Sequence, residues 1–452
     1  MDFTNRKTMV YGTGISGIAA AKLLLDKGAQ VLLFDENKEL DTEKVLGQFD
    51  GRQPELVTGS LTEEQTAGIQ LAVLSPGIPT DLPLVLRLKE RGIPVWGEIE
   101  LGYRCQKGKI LAITGTNGKT TTTSLLGEIM KASGADVKVV GNIGIPYTSE
   151  VSDSTDDTVT VAEISSFQLE TIDQFHPNVA AVLNITPDHL NRHHTMENYI
   201  RAKLNIAKNQ TAEDVCVLNY EDGILRERAH ALQAKIIWFS SARVLKEGYY
   251  LDGDTVCCAE QGTVNRIVET TELNILGRHN HENAMAAAAM AHAAGVSFDT
   301  IASVLRSFQA VEHRIEYVTE KRGIRFYNDS KGTNPDAAIK GIQAMDRPTL
   351  LIAGGYDKQS DYKEWIRSFD GKVKKLVLLG QTAEKIAQEA KELGFTDYVF
   401  ADSLQEAVDI CYQSAENGDT VLLSPACASW GMFPNYEVRG RMFKEMVHAL
   451  KE

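Results

Sequence analysis

Short apolar runs alternate along this 452-residue chain with longer segments in which apolar residues recur at helical spacing. The runs are bounded by glycine or polar residues, which is typical of strands buried on both faces of a parallel sheet. The order strand, helix, strand predicts repeated βαβ units. The predicted strands include Thr8–Tyr11, Val31–Phe34, Leu71–Leu74, Val179–Ile185, Thr349–Ala353, Lys375–Leu379 and Thr420–Leu423.

The segment Ile110–Thr122 contains the most specific motif of the chain. An apolar run ends in Gly115–Thr120 (Gly-Thr-Asn-Gly-Lys-Thr), and a helical pattern follows over Ser124–Lys131. In a phosphate-binding loop, glycines let backbone N–H groups face phosphate oxygens, lysine reaches the terminal phosphates, and the next hydroxyl can ligate Mg²⁺. Ile113 stands where the usual pattern has its first glycine. Strand, Gly-Lys-Thr and helix nevertheless occur in the required order, which predicts a nucleoside triphosphate site rather than an ordinary turn.

The first block carries a dinucleotide-type fingerprint. Gly12–Gly17 (Gly-Thr-Gly-Ile-Ser-Gly) follows a strand and leads into a helix over Ile18–Asp26, and Asp35 ends the next strand. This pattern suits a pyrophosphate on a helix N-terminus and a ribose or base edge on the acid. Taken alone, the pattern predicts that the chain binds NAD. Any nucleoside diphosphate offers the same pyrophosphate, however, so the pattern indicates the shape of the ligand better than its identity. Ser75-Pro76-Gly77 follows another strand and, by itself, favours a simple turn.

Polar residues end several strands of the second block. Glu163 ends an apolar strand, where a phosphate-loop enzyme needs a carboxylate for its metal, although a lone acid there is more often solvated. His189 follows the strand Val179–Ile185 and is either a ligand or a hydrogen-bonding residue at the strand end. Lys203 lies in a helical segment, and its pattern alone is typical of a solvated lysine.

In the third block, polar residues concentrate around one loop. His313-Arg314 precedes Asn328–Pro335, a stretch rich in Asn, Asp, Ser and Gly. Such a concentration indicates a binding site, because loops carry function, but a plain turn has the same composition. Ser424–Ser429 is a further turn at a strand end, and it leads to Asn435-Tyr436.

The glycine turns divide the chain into three α/β blocks, for which we predict domains at 1–97, 98–310 and 311–452. The predicted fold class is α/β, with a Rossmann-like N-terminal domain, a central P-loop ATPase-type domain and a Rossmann-like C-terminal domain.

The composition of the chain argues against several classes of function and of site. Lys and Arg number 47 against 61 acids, and the net charge of −14 argues against general nucleic-acid binding, although local loops can still bind small anions. No apolar stretch approaches the roughly 18 residues that span a bilayer, and the N-terminus lacks a signal-peptide core. The six cysteines show no C-x-x-C pairing, so we expect neither zinc nor disulfides, and a cytoplasmic location.

Two other classes of function explain part of the pattern. A nicotinamide-dependent dehydrogenase accounts for Gly12–Gly17 but leaves the loop of Lys119 without a role. A nucleotide-dependent switch or partner-binding protein accounts for that loop, but not for the fingerprint or the polar third block.

Together, these motifs resemble the Mur ligase family of ATP-dependent amino-acid ligases, over nearly the whole chain from Gly12 to Arg441. The run Ser165–Glu170 is similar to the D-glutamate-adding branch, and the Asp-Asn-Pro-Arg sequence of the meso-diaminopimelate-adding branch is absent. Folate-polyglutamating ligases, the nearest alternative in the family, lack a dinucleotide-type first block. The matching segments are Thr114–Thr122, Glu163–Glu170, Thr186–His189, Gly277–Asn280 with Asn283, His313-Arg314, Asn328–Asn334 and Ser424–Ser429.

The resemblance implies roles for individual residues. Lys119 would hold the transferring phosphate, Thr120 and Glu163 one Mg²⁺, and His189 with a carbamate on Lys203 a second Mg²⁺. The implied ATP-binding residues are Gly115, Thr116, Asn117, Gly118, Lys119, Thr120, Thr121, Asn283, Arg314 and Asp329. Those implied for the UDP-substrate are Gly14, Ile15, Ser16, Asp35, Ser75, Pro76, Gly77, Asn142 and His189. Those implied for D-glutamate are Lys331, Thr333, Lys358, Ser429, Asn435 and Tyr436.

The resemblance also implies a reaction. The carboxylate of UDP-N-acetylmuramoyl-L-alanine would attack the γ-phosphate of ATP to give an acyl phosphate and ADP, and the amine of D-glutamate would then displace phosphate. A lysine and two Mg²⁺ ions suit this phosphoryl transfer. We therefore expect a cytoplasmic, monomeric enzyme of peptidoglycan precursor synthesis, without nucleic-acid or membrane partners.

Overall fold

The computed structural model describes residues 1–142, 144–309 and 312–451. The chain forms two compact units. The first consists of Met1–Thr271 and Glu282–Arg306, and the second of Glu272–His281 and Ser307–Glu452. Two sheets belong to the first unit and one to the second, and all three are accompanied by helices. Among the residues described, no helix is both long and apolar enough to cross a membrane.

The first sheet is parallel, with the strand order β3-β2-β1-β4-β5. Since the order reverses between β1 and β4, the loops after these two strands flank a crevice at the carboxyl edge. The strands are β1 (Lys7–Tyr11), β2 (Gln30–Asp35), β3 (Glu55–Thr58), β4 (Leu71–Leu74) and β5 (Val95–Gly97). The helices are α1 (Ile15–Asp26), α2 (Thr42–Leu46), α3 (Glu63–Thr66), α4 (Pro83–Glu90) and α5 (Glu98–Cys105).

The second sheet has the order β14-β13-β12-β11-β10-β9-β6-β8-β7, and its pairs are parallel except that β13 is antiparallel to both β12 and β14. Its strands are β6 (Lys109–Thr114), β7 (Asp136–Gly141), β8 (Thr158–Glu163), β9 (Val179–Val182), β10 (Val215–Asn219), β11 (Lys235–Ser240), β12 (Gly248–Asp252), β13 (Thr255–Glu260) and β14 (Thr263–Glu269). The helices are α6 (Lys119–Ala132), α7 (Tyr147–Glu150), α8 (Leu190–His193), α9 (Met196–Leu204), α10 (Gly223–Arg228), α11 (Arg278–Ala293) and α12 (Phe298–Ser307). Short 3₁₀ helices lie at Gln168–Thr171, Asn205–Ala207, Ala229–Ala231 and Thr270–Glu272.

The third sheet has the order β15-β16-β20-β17-β18-β19, with β15 antiparallel to β16 and the other pairs parallel. Its strands are β15 (Glu316–Lys321), β16 (Ile324–Asn328), β17 (Thr349–Ala353), β18 (Val373–Leu378), β19 (Tyr398–Phe400) and β20 (Thr420–Leu423). Its helices are α13 (Pro335–Gln343), α14 (Lys363–Arg367), α15 (Ala383–Glu392), α16 (Leu404–Ser414) and α17 (Tyr436–Ala449).

Three predicted strands, β4, β17 and β20, are confirmed residue for residue. Helix α6 begins at Lys119, earlier than the predicted Ser124, because Gly118 adopts a left-handed φ of 87° and starts the helix directly. Strand β9 ends at Val182 rather than at Ile185. The predicted division between 310 and 311 lies outside the described residues, and both predicted domain boundaries stay predictions.

Helix α5 joins the part of the chain around the first sheet to the part around the second. The buried carboxylate of Glu98 accepts hydrogen bonds from the Thr148 backbone N–H (2.7 Å) and hydroxyl (2.8 Å). Glu100, also buried, accepts from the backbone N–H groups of Asp173, Gln174 and Phe175. The two buried carboxylates therefore tie this helix to two separate segments of the chain.

Replacing Glu98 with glutamine is expected to remove a pH dependence of stability. Burial raises the pKa of Glu98 from 4.5 to about 7, against the hydrogen bonds from Thr148, so the folded chain holds this proton more tightly than the unfolded chain. The stabilisation is full below the unfolded pKa and is lost as pH rises through the folded pKa, by about 3 kcal/mol. Urea midpoints measured between about pH 5 and pH 8 should fall more steeply for the wild type than for Glu98→Gln. Glu128→Gln, at an exposed ion pair with Lys131, is the control, and parallel profiles for all three proteins would contradict the assignment.

Candidate functional site

The phosphate-binding loop is fixed by side chains from neighbouring strand ends. The Asn117 N–H donates to Asn184 Oδ1 (2.8 Å), and Asn184 Nδ2 donates back to the Asn117 carbonyl (3.1 Å). The Thr116 hydroxyl lies 3.0 Å from both the Thr186 carbonyl and the Tyr199 hydroxyl. At Gly118, a Cβ atom would come within 2.2 Å of Asn283 Oδ1, so glycine is required there. The loop therefore holds one conformation with its amides at the start of α6.

Two lysines converge on one carbonyl of this loop. Lys119 Nζ donates to the carbonyls of Gly115 and Thr116, each at 2.9 Å, and Lys203 Nζ donates to the same Gly115 carbonyl at 2.7 Å. Lys203 is 2% exposed and lies over the Tyr199 ring at 4.7 Å. Burial, and then the charge of Lys119, hold the pKa of Lys203 well below its usual value, although Asp188 acts in the opposite direction. The structure thus contradicts the solvated-lysine interpretation of Lys203.

Glu163 lies beside the start of the phosphate-binding loop. The register pairs Glu163 with Ile113, next to Thr114 at the end of β6. Its Oε1 accepts from Asn142 Nδ2 at 2.7 Å, whereas its buried Oε2 has no hydrogen-bond partner among the described residues. A buried carboxylate oxygen without a partner is costly unless a ligand satisfies it.

His189 directly precedes α8. It adopts a left-handed φ of 53° at the start of α8, and its ring meets Phe167 edge-on at 4.9 Å. Its Nε2 is 3.5 Å from Asp188 Oδ2. The neighbouring Arg192 donates to Glu170 (2.7 Å) and to the Ile78 carbonyl (3.0 Å), and so links the strand end after β4 to the second sheet.

These residues fit a divalent ion and a polyphosphate. The carboxylate and hydroxyl oxygens of Glu163 and Thr120 are the donors that Mg²⁺ prefers, and the unsatisfied Glu163 Oε2 gives such an ion a specific contact. The helix N-terminus, the loop amides and Lys119 offer positive charge to phosphate. Lys203 as an ammonium could not ligate a metal.

The crevice of the first sheet also suits an anion. No side chain caps the N-terminus of α1, which begins at Ile15. Ser75 packs on the glycine turn, since a Cβ at either Gly12 or Gly17 would come within 2.7 Å of its hydroxyl. Ile15, at the start of this helix, is 74% exposed. The crevice holds the candidate residues Gly14, Ile15, Ser16, Ser75, Pro76 and Gly77.

Asp35 is directed back onto the glycine turn. Its Oδ2 accepts from the Thr13 N–H (3.0 Å) and hydroxyl (2.7 Å), and its Oδ1 accepts from the Asn37 N–H (3.0 Å). Burial alone would raise the pKa of Asp35, but the hydrogen bonds from Asn37 and Thr13 outweigh it and lower the pKa. The carboxylate therefore stays charged and shapes the turn, and a direct contact to a ligand stays a prediction.

In the second unit, candidate residues gather at the carboxyl ends of β16, β20 and β17. Asp329 is buried, accepts from the Ser424 hydroxyl at 2.6 Å, and lies so close to Gly332 that a Cβ there would be 2.6 Å from its Oδ2. Burial raises the pKa of Asp329 to about 6, although Ser424 and Arg314 oppose this. Arg314 has a buried Nε without a hydrogen-bond partner among the described residues.

Arg439, for which the sequence suggested no role, organises these loops. It donates to the Ser330 hydroxyl (2.9 Å), the Ser330 carbonyl (2.7 Å) and the Cys427 carbonyl (3.3 Å). Burial lowers its pKa to about 10, so it stays charged at neutral pH. The residue is buried and positions two loops without facing solvent.

Glu312, His313 and Glu316 place potential ligand atoms within 4.8 Å of one another. Lys444 Nζ, however, lies 2.6 Å from Glu312 and 2.8 Å from Glu316. Its ammonium already neutralises this cluster, so a metal ion is not required there.

The candidate amino-acid residues include two lysines that each lie over an aromatic ring. Lys331 Nζ is 5.4 Å from the centroid of Tyr436, and Lys358 Nζ is 5.6 Å from that of Trp430. Ser429 is buried, Thr333 is half-buried, and Asn435 caps α17 by accepting from the Val438 N–H at 2.8 Å.

The chain matches three family models over most of its length. These are the Mur ligase MurD-like N-terminal domain at residues 6–97, the Mur ligase middle domain at 113–291, and the Mur ligase glutamate ligase domain at 313–427. The expected three-domain α/β architecture is confirmed.

Relatives of known name match over the full chain. The UDP-N-acetylmuramoylalanine--D-glutamate ligase of Lachnoclostridium phytofermentans is 55% identical, and that of Lachnospira eligens is 53% identical, with 100% of both chains covered in each case. A crystal structure of MurF ligase from Thermotoga maritima in complex with ADP has the same fold, with a TM-score of 0.61 at 16% identity, covering 98% of this chain and 96% of that one.

Proposed function

The chain belongs to the Mur ligase family, and we propose that it is the ligase that joins D-glutamate to UDP-N-acetylmuramoyl-L-alanine with ATP. The observation that carries this proposal is the 55% identity, over the full length of both chains, to a UDP-N-acetylmuramoylalanine--D-glutamate ligase. The reaction belongs to the synthesis of peptidoglycan precursors and hence to cell-wall formation.

A carboxylate does not form an amide at neutral pH without activation. In the proposed reaction, the terminal carboxylate of the nucleotide substrate takes the γ-phosphoryl group of ATP and releases ADP. The amine of D-glutamate then attacks the acyl carbon, and phosphate leaves with the electron pair of the broken C–O bond. Such chemistry depends on positioning and on charge neutralisation, for which Lys119 and the amides that begin α6 are suited.

The enzyme uses ATP and Mg²⁺, and we propose a site for two ions. Thr120 and Glu163 would hold one, which is supported by the unsatisfied Glu163 Oε2. His189 and a carbamylated Lys203 would hold the other. Bound Mg²⁺ neutralises charge on the phosphate oxygens. Asn142, fixed by Glu163, would contact the nucleotide substrate.

Carbamylation of Lys203 is supported by its surroundings. The reaction joins the neutral amine to CO₂ and releases one proton, so it needs an amine that loses its proton easily. The pKa of Lys203 is well below its usual value because of burial and the charge of Lys119. The product carries a negative charge beside Lys119, which replaces repulsion by attraction, and it offers oxygen to a metal.

The chemistry of the candidate residues suggests which part of each substrate they would bind. We propose that the UDP end binds in the crevice of the first sheet, at the uncapped start of α1 and on the exposed Ile15. Arg314, with its unsatisfied Nε, would meet ATP phosphate, and Asn283 and Asp329 would serve the adenine and ribose ends. Lys331, Thr333, Lys358, Ser429, Asn435 and Tyr436 would surround D-glutamate.

One assay tests the function. Purified protein with ATP, Mg²⁺ and UDP-N-acetylmuramoyl-L-alanine should release phosphate at a high rate when D-glutamate is added, and at least about tenfold more slowly with L-glutamate, because reversed stereochemistry misplaces one of three charged groups. The product should carry one added glutamyl residue by mass spectrometry. Glutamate-independent phosphate release, or a product from another amino acid instead, would contradict the proposal.

A further inference from the structure

An exposed aromatic pair lies beside the candidate amino-acid residues. Trp430 is 55% exposed and Tyr356 is 41% exposed, and their rings meet at 61° with centroids 5.7 Å apart. The other described aromatic residues of this unit that form ring pairs are mostly packed in its core, as Trp365 is. Neither Trp430 nor Tyr356 is among the residues that the family resemblance assigns.

Lys358 lies over the Trp430 ring of this pair. Its Nζ lies 5.6 Å from the centroid of the Trp430 ring, and no carboxylate among the described residues forms an ion pair with it. The neighbouring Asp357 is engaged elsewhere, 3.7 Å from Lys385. The ammonium of Lys358 is thus oriented by a ring and not neutralised.

The backbone locks the segments of Lys358 and Trp430 together. The Tyr356 N–H donates to the Ala428 carbonyl at 2.9 Å, in an isolated antiparallel bridge. Gly355 permits this approach, because a Cβ on it would come within 2.3 Å of the same carbonyl. Lys358 and Trp430 each follow this bridge by a short distance, so their contact is built into the loops.

Lys331 Nζ also lies over an aromatic ring, 5.4 Å from the centroid of Tyr436. A glutamate presents two carboxylates, which two ammonium groups can meet. Lys358 has no acid partner among the described residues to give up, and the Trp430 ring already orders its ammonium when the ligand arrives.

We propose that Trp430 is a positioning residue of the amino-acid site, which holds the Lys358 ammonium ready for one carboxylate of the incoming dicarboxylate. This inference rests on the proposed function and deepens it. Trp430 then sets the affinity for the amino acid and leaves the phosphate chemistry unaffected.

The test is a double-mutant cycle in the full-length enzyme. Trp430→Leu should raise the KM for D-glutamate about two- to fivefold, with kcat and the KM for ATP unchanged, and Trp430→Phe should retain most of the wild-type KM. Lys358→Met should raise the same KM further. In the Lys358→Met background, Trp430→Leu should add nothing, because the group on which it acts is gone. Phe400→Leu, at an exposed aromatic residue on β19, is the control and should match the wild type.

Other outcomes would overturn either the inference about Trp430 or the proposed function. An unchanged KM in Trp430→Leu, additive effects of the two substitutions, or a joint change in kcat and the KM for ATP would each overturn the inference while the proposed function stands. A wild-type enzyme that does not respond to D-glutamate would instead overturn the proposed function itself.

Discussion

Lys119→Ala is expected to abolish ligase turnover while leaving the protein folded. Lys119 begins α6 and directs its ammonium across the phosphate-binding loop, where it contacts the Gly115 and Thr116 carbonyls. In phosphoryl transfer, charge develops on the phosphate oxygens, and a fixed cation stabilises it most in the transition state. Loss of such a group costs at least about 100-fold in kcat. Phosphate release at saturating substrates measures the loss.

The matched control is Lys131→Ala on the same helix. Lys131 lies in the last turn of α6, exposed and paired with Glu128 at 3.0 Å, so its removal should leave turnover unchanged. Circular dichroism and thermal unfolding should be similar for both variants. Near-normal phosphate release by folded Lys119→Ala would show that this loop does not hold the transferring phosphate.

Local patterns in the sequence account for the parallel strands and the turns after them. Apolar runs such as Leu71–Leu74 and Thr349–Ala353 are short and sharply bounded, so strand and run coincide. Gly118, whose left-handed conformation favours glycine, stands at the start of α6, although the pattern predicted this helix only from Ser124. Glu163 could be placed near the phosphate-binding loop, because parallel strands end at the same edge of a sheet.

What the sequence could not indicate depends on contacts between distant segments. Asn184 holds the phosphate-binding loop through two hydrogen bonds, yet in sequence it is one polar residue inside the predicted strand Val179–Ile185. Arg439, to which the sequence analysis gave no role, is buried in α17 and donates to two loops. The Asp35 carboxylate was expected to face a ligand, and its bonds to Thr13 follow from the close approach of the β1 and β2 ends.

Lys203 is the residue where sequence and structure differ most. Its segment predicts a solvated helix face, yet its side chain is buried and its Nζ shares the Gly115 carbonyl with Lys119. Two ammonium groups on one carbonyl repel each other, and burial adds the cost of desolvation. A neutral amine avoids both costs, and carbamylation, as proposed, is a reaction of the neutral amine.

If Lys203 is carbamylated as proposed, Lys203→Ala is expected to be nearly inactive, with kcat lower by at least about 100-fold, since the variant would lose a metal ligand and the counter-charge for Lys119. Short carboxylates such as acetate or formate should restore part of the activity, because they place oxygen in the emptied space. Lys203→Arg should not recover activity, since a guanidinium keeps its charge and does not form a carbamate. Phosphate release with increasing carboxylate measures the rescue.

The rescue separates a chemical role from a structural one. If Lys203 only filled space, Lys203→Met would preserve the packing and much of the activity, and added carboxylate would change nothing.

If Lys203 is carbamylated, wild-type protein prepared with ¹³C-bicarbonate should show a carbamate carbon signal that Lys203→Met lacks, and Lys119→Ala should weaken that signal. Lys119 lowers the pKa of Lys203 before the reaction and attracts the carbamate after it, so both effects disappear together. A fully active Lys203→Ala, or a normal Lys203→Arg, would leave this lysine without a part in the chemistry.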